Sequence, residues 1–252
     1  MDSRLRDYLL VTAGLLMVWQ GLAVFVADPM LPGPLAVIQA IIHEWRSGAL
    51  LHHLEVTFRR VAIAFVCAMI LGGLLGWFMG RSQRANRLLD PLLVLFLNLP
   101  ALVVIILLYV WMGLVEAAAV LAVIVNKVPN VAATIREGAR SLDPQLEEMA
   151  EAYRFTRWQR IRDLWLPQLF PYLMASMRTG LALIWKIVLV VELLGRSDGV
   201  GFQLHLAFQL FDVTTILAYS FSFIAIVQLI EWGLLQPLEK RARRWQGEVH
   251  HA

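Results

Sequence analysis

Six apolar stretches of hydrocarbon length set the outer limit on what this chain can fold into. A bilayer core about 30 Å thick is crossed by about 20 predominantly apolar helical residues, because each rises 1.5 Å. Stretches near 9–26, 61–79, 88–112, 117–135, 169–194 and 213–235 approach that length. Apolar residues make up 59% of the chain and charged ones 16%, with a mean hydropathy of +0.66, more than a water-soluble globule of 252 residues carries. The expected fold is therefore all-α: a polytopic membrane protein with six transmembrane helices. No repeat, low-complexity tract or composition break divides it, so residues 1–252 are expected to form one transmembrane domain. The fourth stretch is interrupted by Asn126, Lys127, Pro129 and Asn130, and it persists as a span only if protein or water faces its polar side. Arg4 and Arg6 ahead of the first stretch resemble a secretory leader. That run exceeds the roughly 7–15 residues of a signal core, and Asp28-Pro29 does not continue a cleavage site, so a retained helix is expected.

Basic residues in the connections give orientation, because short cytoplasmic loops retain positive charge. Arg4 and Arg6, then Arg81, Arg84 and Arg87, then the bases from Lys127 to Arg162, then Lys240, Arg241, Arg243 and Arg244 fall on one side, sixteen of the 22. The opposite connections hold Arg46, Arg59, Arg60 and Arg196. Both termini are thus expected in the cytoplasm.

The one long polar connection, about 141–167, interleaves charged and apolar residues as short amphipathic helices do. Asp143-Pro144 supplies an N-cap and a first-turn proline for a helix over 144–153. Thr156 and Gln159 have capping-box spacing for a second helix to about 165, which Pro167 is expected to end. The connection reads as a cytoplasmic helix-turn-helix.

Little in the sequence supports bond chemistry. There is no G-x-x-x-x-G-K-[ST] phosphate loop and no G-x-S-x-G nucleophile, so no cofactor is expected. His43, His52, His53, His205, His250 and His251 lack H-E-x-x-H spacing, and adjacent His52 and His53 point to different helix faces, favouring packing or solvation over metal. Cys67 stands alone, and a net charge of +3 does not imply nucleic acid. Ionisable groups at membrane depth are costly and mark pathways by default. Lys186 and Glu192 on the fifth stretch point to a polar translocation cavity or a partner chain, or else to a structural ion pair or an end-of-helix group reaching water. They stand six apart, on different helix faces, which disfavours direct pairing. Asn98-Leu99-Pro100 predicts a kink in the third stretch, since Pro100 cannot donate to the carbonyl of Phe96; ordinary packing and a gate or substrate contact both remain open. Gly72, Gly73 and Gly76 include a small-x-x-small spacing for close helix packing.

The polar connection resembles the inner-membrane permeases of binding-protein-dependent ABC importers, in the nitrate, taurine and aliphatic sulfonate branch. That family carries E-A-A, a Gly a few residues on, and I-x-L-P. Here Glu148-Met149-Ala150, Ala152-Tyr153, Arg157-Trp158 and Leu164-Trp165-Leu166-Pro167 hold the corresponding places. Met30-Leu31-Pro32-Gly33-Pro34, Thr57-Phe58-Arg59-Arg60-Val61, Asp90-Pro91 with Leu99-Pro100, and Gly199-Val200-Gly201 extend the likeness over nearly the whole chain. Two positions depart: Met149 replaces a small residue, and Arg154 stands at the family's Gly, where a side chain is disfavoured in a left-handed turn, so an altered turn is expected.

The resemblance implies a permease subunit in the bacterial inner membrane that moves a small anionic or zwitterionic solute and performs no bond chemistry. Its implied partners are a pair of separate ATPase subunits, a second permease copy, an extracytoplasmic solute-binding protein and membrane lipid. Met149, Tyr153, Phe155 and Trp158 would dock on the ATPase, with Glu148 and Arg154 orienting the loop. The pathway would run near Asn98, Pro100 and Lys186. An ion- or proton-coupled secondary transporter is the alternative, and it would show the internal duplication that is not seen here.

Overall fold

The computed structural model describes residues 3–237. Lys240, Arg241, Arg243, Arg244, His250 and His251, together with the Arg4 and Arg6 side chains, lie outside what is described. The elements run α1 (Ser3–Val26), α2 (Pro34–Ser47), α3 (Ala49–Arg81), α4 (Gln83–Asn98), α5 (Ala101–Met112), α6 (Glu116–Arg140), α7 (Pro144–Ala152), α8 (Arg157–Gln159), a π-helical segment Arg160–Trp165, α9 (Leu166–Gly195), α10 (Val200–Gln209), α11 (Val213–Ile230) and a second π segment Glu231–Leu235. No strand occurs among the described residues.

Among the described residues, three helices are long and apolar enough to cross a membrane: Ala49–Arg81, Glu116–Arg140 and Val213–Gly233. A fourth crossing is available if α4 and α5 count as one broken span, because they meet at 97°. The expected kink is thus a full break. Leu99 (φ −70°, ψ 128°) and Pro100 (φ −61°, ψ 129°) are both extended, since the proline ring excludes its predecessor from the helical region. The interrupted fourth stretch does form a helix, α6, and it is the best covered, with half of its apolar window buried against 28% for α3. Asn126, Asn130 and Thr134 each donate to the carbonyl four residues back, so their polar groups are satisfied within the helix.

Two helices exceed the sequence expectations. α2 starts on Pro34 and stops at Gly48 (φ 82°), which lets α3 begin at Ala49, well ahead of the expected 61. α10 fills what read as a connection before the last span. Three basic residues change place accordingly. Arg59 and Arg60 belong to α3, not to a loop, and Lys127 lies inside α6. Arg60 is buried and grips Glu116 with two bonds, Nε to Oε1 at 2.8 Å and Nη2 to Oε2 at 2.7 Å.

The chain packs as two compact units. In the first, which joins the residues up to Thr57 with Glu192–Gln228, Tyr219 donates to Glu44 at 2.9 Å and Trp19 rests against Phe221. In the second, which contains Phe58–Val191, α3 packs closely on α6. A Cβ on Gly72 would lie 2.6 Å from Val131 Cβ, one on Gly76 would lie 2.5 Å from the Ala132 carbonyl, and Gly80 faces Ala139 the same way. Gly72, Gly76 and Gly80 therefore form one close-approach face, whereas Gly73 touches nothing. Arg136 of α6 binds Asp90 of α4 on the same side.

Candidate coupling hairpin and a buried helix cap

Residues 141–167 form a hairpin whose root is fixed by one carboxylate. α7 opens as expected, with Asp143 Oδ1 accepting from the Gln145 N–H at 2.8 Å and Pro144 in the first turn. The capping box forms, with Thr156 Oγ1 accepting from Gln159 N–H and Gln159 Oε1 accepting from Thr156 N–H. Between them the chain turns through Arg154 at φ 53°. Phe155 N–H reaches the Ala150 carbonyl (2.8 Å) and Arg154 N–H the Glu151 carbonyl (3.0 Å), the paired bonds of a Schellman turn. So the turn is not altered; Arg154 adopts the left-handed conformation that glycine would take. Arg154→Gly should stabilise the hairpin by about 1 kcal/mol, seen as slower amide exchange at Phe155. Unchanged exchange would show that Arg154 gains compensating contacts.

Pro167 does not end the second helix. The segment Arg160–Trp165 is π-helical, Leu166 N–H bonds to the Ile161 carbonyl five residues back, and the chain continues directly into α9. Widening the register just before Pro167 lets the helix absorb its missing donor.

The anchor within the chain is Glu147 rather than Glu148. Glu147 Oε1 accepts from Trp165 Nε1 at 2.6 Å, and Oε2 accepts from Arg81 Nη2 at 2.8 Å. The Arg81 guanidinium also lies 5.8 Å from the ring centres of Trp77 and Trp165, which pack 4.7 Å apart. Burial pushes the Glu147 carboxyl upward, but the bonds from Trp165 and Arg81 and the charges of Arg81 and Arg160 outweigh it and hold it below the usual carboxylate range. A depressed folded value means the anchoring is complete above the unfolded carboxylate range and is lost only as pH falls through the folded value. Hairpin protection in hydrogen exchange should therefore stay constant from neutral pH into the ordinary carboxylate range and fall only below it. A loss near neutrality would contradict this anchor.

With the root fixed, the tip is bare. Tyr153 is 75% exposed, Trp158 67% and Met149 39%. Glu148, Ala152, Arg154, Leu166 and Pro167 are exposed as well, while Ala150 is buried beneath the turn.

A second constellation surrounds Glu192, fully buried at the end of α9. Three backbone donors open α10, and each meets a side chain. Gly199 N–H donates to His53 Nδ1 (3.0 Å), Val200 N–H to Thr57 Oγ1 (2.8 Å) and Gly201 N–H to Glu192 Oε2 (2.9 Å). Thr57 Oγ1 lies 2.8 Å from Glu192 Oε2, and Gln203 Nε2 lies 2.7 Å from His53 Nε2. The carboxylate sits where the helix carries its partial positive charge. His53 thus serves as an acceptor at the start of α10.

No hydrogen bond or ion pair among the described residues joins the remaining pathway candidates. Asn98 Nδ2 donates to its own helix at the Val94 carbonyl (2.7 Å), Pro100 is exposed at the break, and Lys186 is exposed on α9. Within the second unit a different lysine is enclosed. Lys127 is 2% exposed, and Gly180 leaves it room, since a Cβ there would lie 3.0 Å from Lys127 Cε. Ser176, one turn before Gly180 on α9, is buried with its hydroxyl unbonded.

Comparison with known proteins places the hairpin in context. Residues 57–233 match the family described as binding-protein-dependent transport system inner membrane component. This chain belongs to that family, the permeases of ABC importers. The permease is 29% identical to the putative aliphatic sulfonates transport permease protein SsuC of Bacillus subtilis over 94% of this chain and 87% of the relative. It is 27% identical to the taurine transport system permease protein TauC of Escherichia coli over 94% and 88%. In fold it is similar to an amino acid ABC transporter (TM-score 0.60, 19% identity, 79% of this chain and 95% of that one). The MetNI methionine ABC transporter in an inward-facing form is also similar (TM-score 0.59, 18% identity, 82% and 96%).

What sequence reading of the permease missed is specific. Glu147 looked like one more hairpin charge because its partners Arg81 and Trp165 stand 66 and 18 residues away. Lys127 counts among the connection charges by sequence, although the interrupted fourth stretch it shares with Pro129 and two asparagines already requires a covered polar face.

Proposed function

We propose that the permease is the membrane half of an ATP-driven importer for a small anionic or zwitterionic solute of the sulfonate or taurine type. In this reading two copies pair. α1, α3, the α4–α5 pair, α6, α9 and α11 make six crossings, with both termini in the cytoplasm. The hairpin at 141–167 seats in a groove on an ATPase subunit, and closure of two such subunits pulls paired hairpins together and swings the spans between inward and outward states. An extracytoplasmic binding protein delivers the solute. The observation that carries this is the contrast within the hairpin, where a root pinned by Glu147 to Arg81 and Trp165 holds out exposed Tyr153 and Trp158. A rigid arm with bare aromatic ends transmits force only when a partner grips it. The names of SsuC and TauC and the cations Lys127 and Lys186 on α6 and α9 support an anionic solute.

The test is uptake by proteoliposomes holding the permease and its ATPase, with binding protein and a labelled sulfonate outside. Uptake should require internal ATP and the binding protein. Full-rate movement without nucleotide would reject the reading in favour of a secondary transporter. Lys186→Gln should lower sulfonate uptake about tenfold while leaving ATPase binding intact, if the exposed ammonium offsets the solute's charge. Unchanged uptake would assign Lys186 to packing against a partner helix.

A further inference from the structure

Where α3 ends, α4 begins and α6 ends, the second unit holds a cleft of about 540 Å³ lined by Arg81, Arg87, Arg140, Gln83 and Asn86. Three guanidiniums in one cleft repel each other unless an anion joins them. The carboxylates nearby are already engaged: Glu147 with Arg81, Glu137 with Arg140 and Arg136, and Asp90 with Arg136. Arg87 is exposed and makes no hydrogen bond or ion pair with any described residue.

Just outside the cleft the same helices turn apolar faces outward. Leu74 and Phe78, two turns and one turn back from Arg81 on α3, are 54% and 61% exposed. Leu88 and Leu92, following Arg87 on α4, are 76% and 52% exposed. A polar, cationic cleft opening onto an apolar strip at a helix end fits a two-part ligand with an anionic head and hydrocarbon tails. Soluble anions and acidic protein surfaces use the first part but leave the second unmatched. The N-terminal end of α4 adds partial positive charge, with Ser82 already bonded to Ala85 N–H and Arg87 left for the ligand.

We propose that this cleft binds the phosphate of an anionic phospholipid, with Arg87 and Arg140 as its principal contacts and the acyl chains lying along Leu74, Phe78, Leu88 and Leu92. The site is independent of the transported solute. It borders the hairpin root, because Arg81 serves both the cleft and Glu147.

The experiment is native mass spectrometry of the full-length permease released from detergent with equimolar phosphatidylglycerol and phosphatidylcholine. Phosphatidylglycerol should be retained about tenfold over phosphatidylcholine, and Arg87→Gln with Arg140→Gln should bring the two to parity. Equal retention of both lipids by the unaltered chain, or an undiminished preference in the double variant, overturns the proposal. Inorganic phosphate that abolishes the preference where chloride of equal ionic strength does not would make the cleft a free-anion site and overturn the lipid assignment. ATPase co-purification with the double variant in phosphatidylcholine nanodiscs should stay at the unaltered level. Its loss there would reassign the arginines to the ATPase contact.

Discussion

Gly199→Ala should unfold the part of the first unit around α10 at temperatures where the unaltered permease is intact. Gly199 sits at φ 103°, ψ 169°, a conformation closed to residues with a Cβ. Its ideal Cβ would also collide with all three atoms of the Glu192 carboxyl group. Backbone strain alone costs roughly 1–3 kcal/mol. Moving the carboxylate then strips Gly201 N–H and Thr57 of their partner where Glu192 and Thr57 are both fully buried, adding roughly 1–3 kcal/mol for stranded polar groups. A total of roughly 2–6 kcal/mol would remove much of the stability of an ordinary domain. Thermal unfolding followed by size-exclusion chromatography should show Gly199→Ala aggregating well below the unaltered chain. Glu192→Ala, which empties the space, should partly suppress Gly199→Ala, because the collision disappears while the φ strain stays. A Gly199→Ala midpoint equal to the unaltered one, or no coupling between the two substitutions, would refute this cap.

Legibility in the sequence followed the range of the interactions. α7, its Asp143 cap, its proline start and the Thr156–Gln159 box all formed where expected, since each depends on residues within four positions. Pro100 was visible as a disruption but not as a 97° break, because the size of a bend depends on what the freed segments pack against. Pro167 misled for a related reason: a proline ends a helix only when the preceding turn keeps α register, and the π segment Arg160–Trp165 does not. α2 and α10 escaped notice because short helices bounded by Gly48 and Gly199 look like connections when spans are sought by length. Charge was harder still. Arg60, Lys127 and Glu192 read as loop or pathway charges, yet burial makes Arg60 and Glu192 structural groups whose partners, Glu116 and Thr57, lie far along the chain. Gly199-Val200-Gly201 was noted as a family pattern; its physical content, three helix donors met by three side chains, is tertiary.

Removing the aromatic tip should uncouple the permease without weakening it. Tyr153 and Trp158 are mostly exposed, so Tyr153→Ala and Trp158→Ala leave little unfilled space and should shift stability by no more than about 0.5 kcal/mol. At a subunit interface the same side chains carry the energy, since buried aromatic anchors contribute about 2 kcal/mol or more each. A loss of 2 kcal/mol is about a thirtyfold rise in Kd, so the paired substitution should abolish detectable ATPase binding at micromolar concentration. Glu147→Ala separates contact from positioning, because it leaves both aromatic rings in place and frees the root from Trp165 and Arg81. That variant should bind ATPase with a smaller defect yet transport poorly, as a slack arm transmits less of the ATPase movement to α9. Binding to permease in nanodiscs and ATP-driven uptake, measured on the same preparations, give the two readouts. Normal binding after loss of both aromatics would place the ATPase contact elsewhere on the permease, and normal uptake by Glu147→Ala would show that the root transmits nothing.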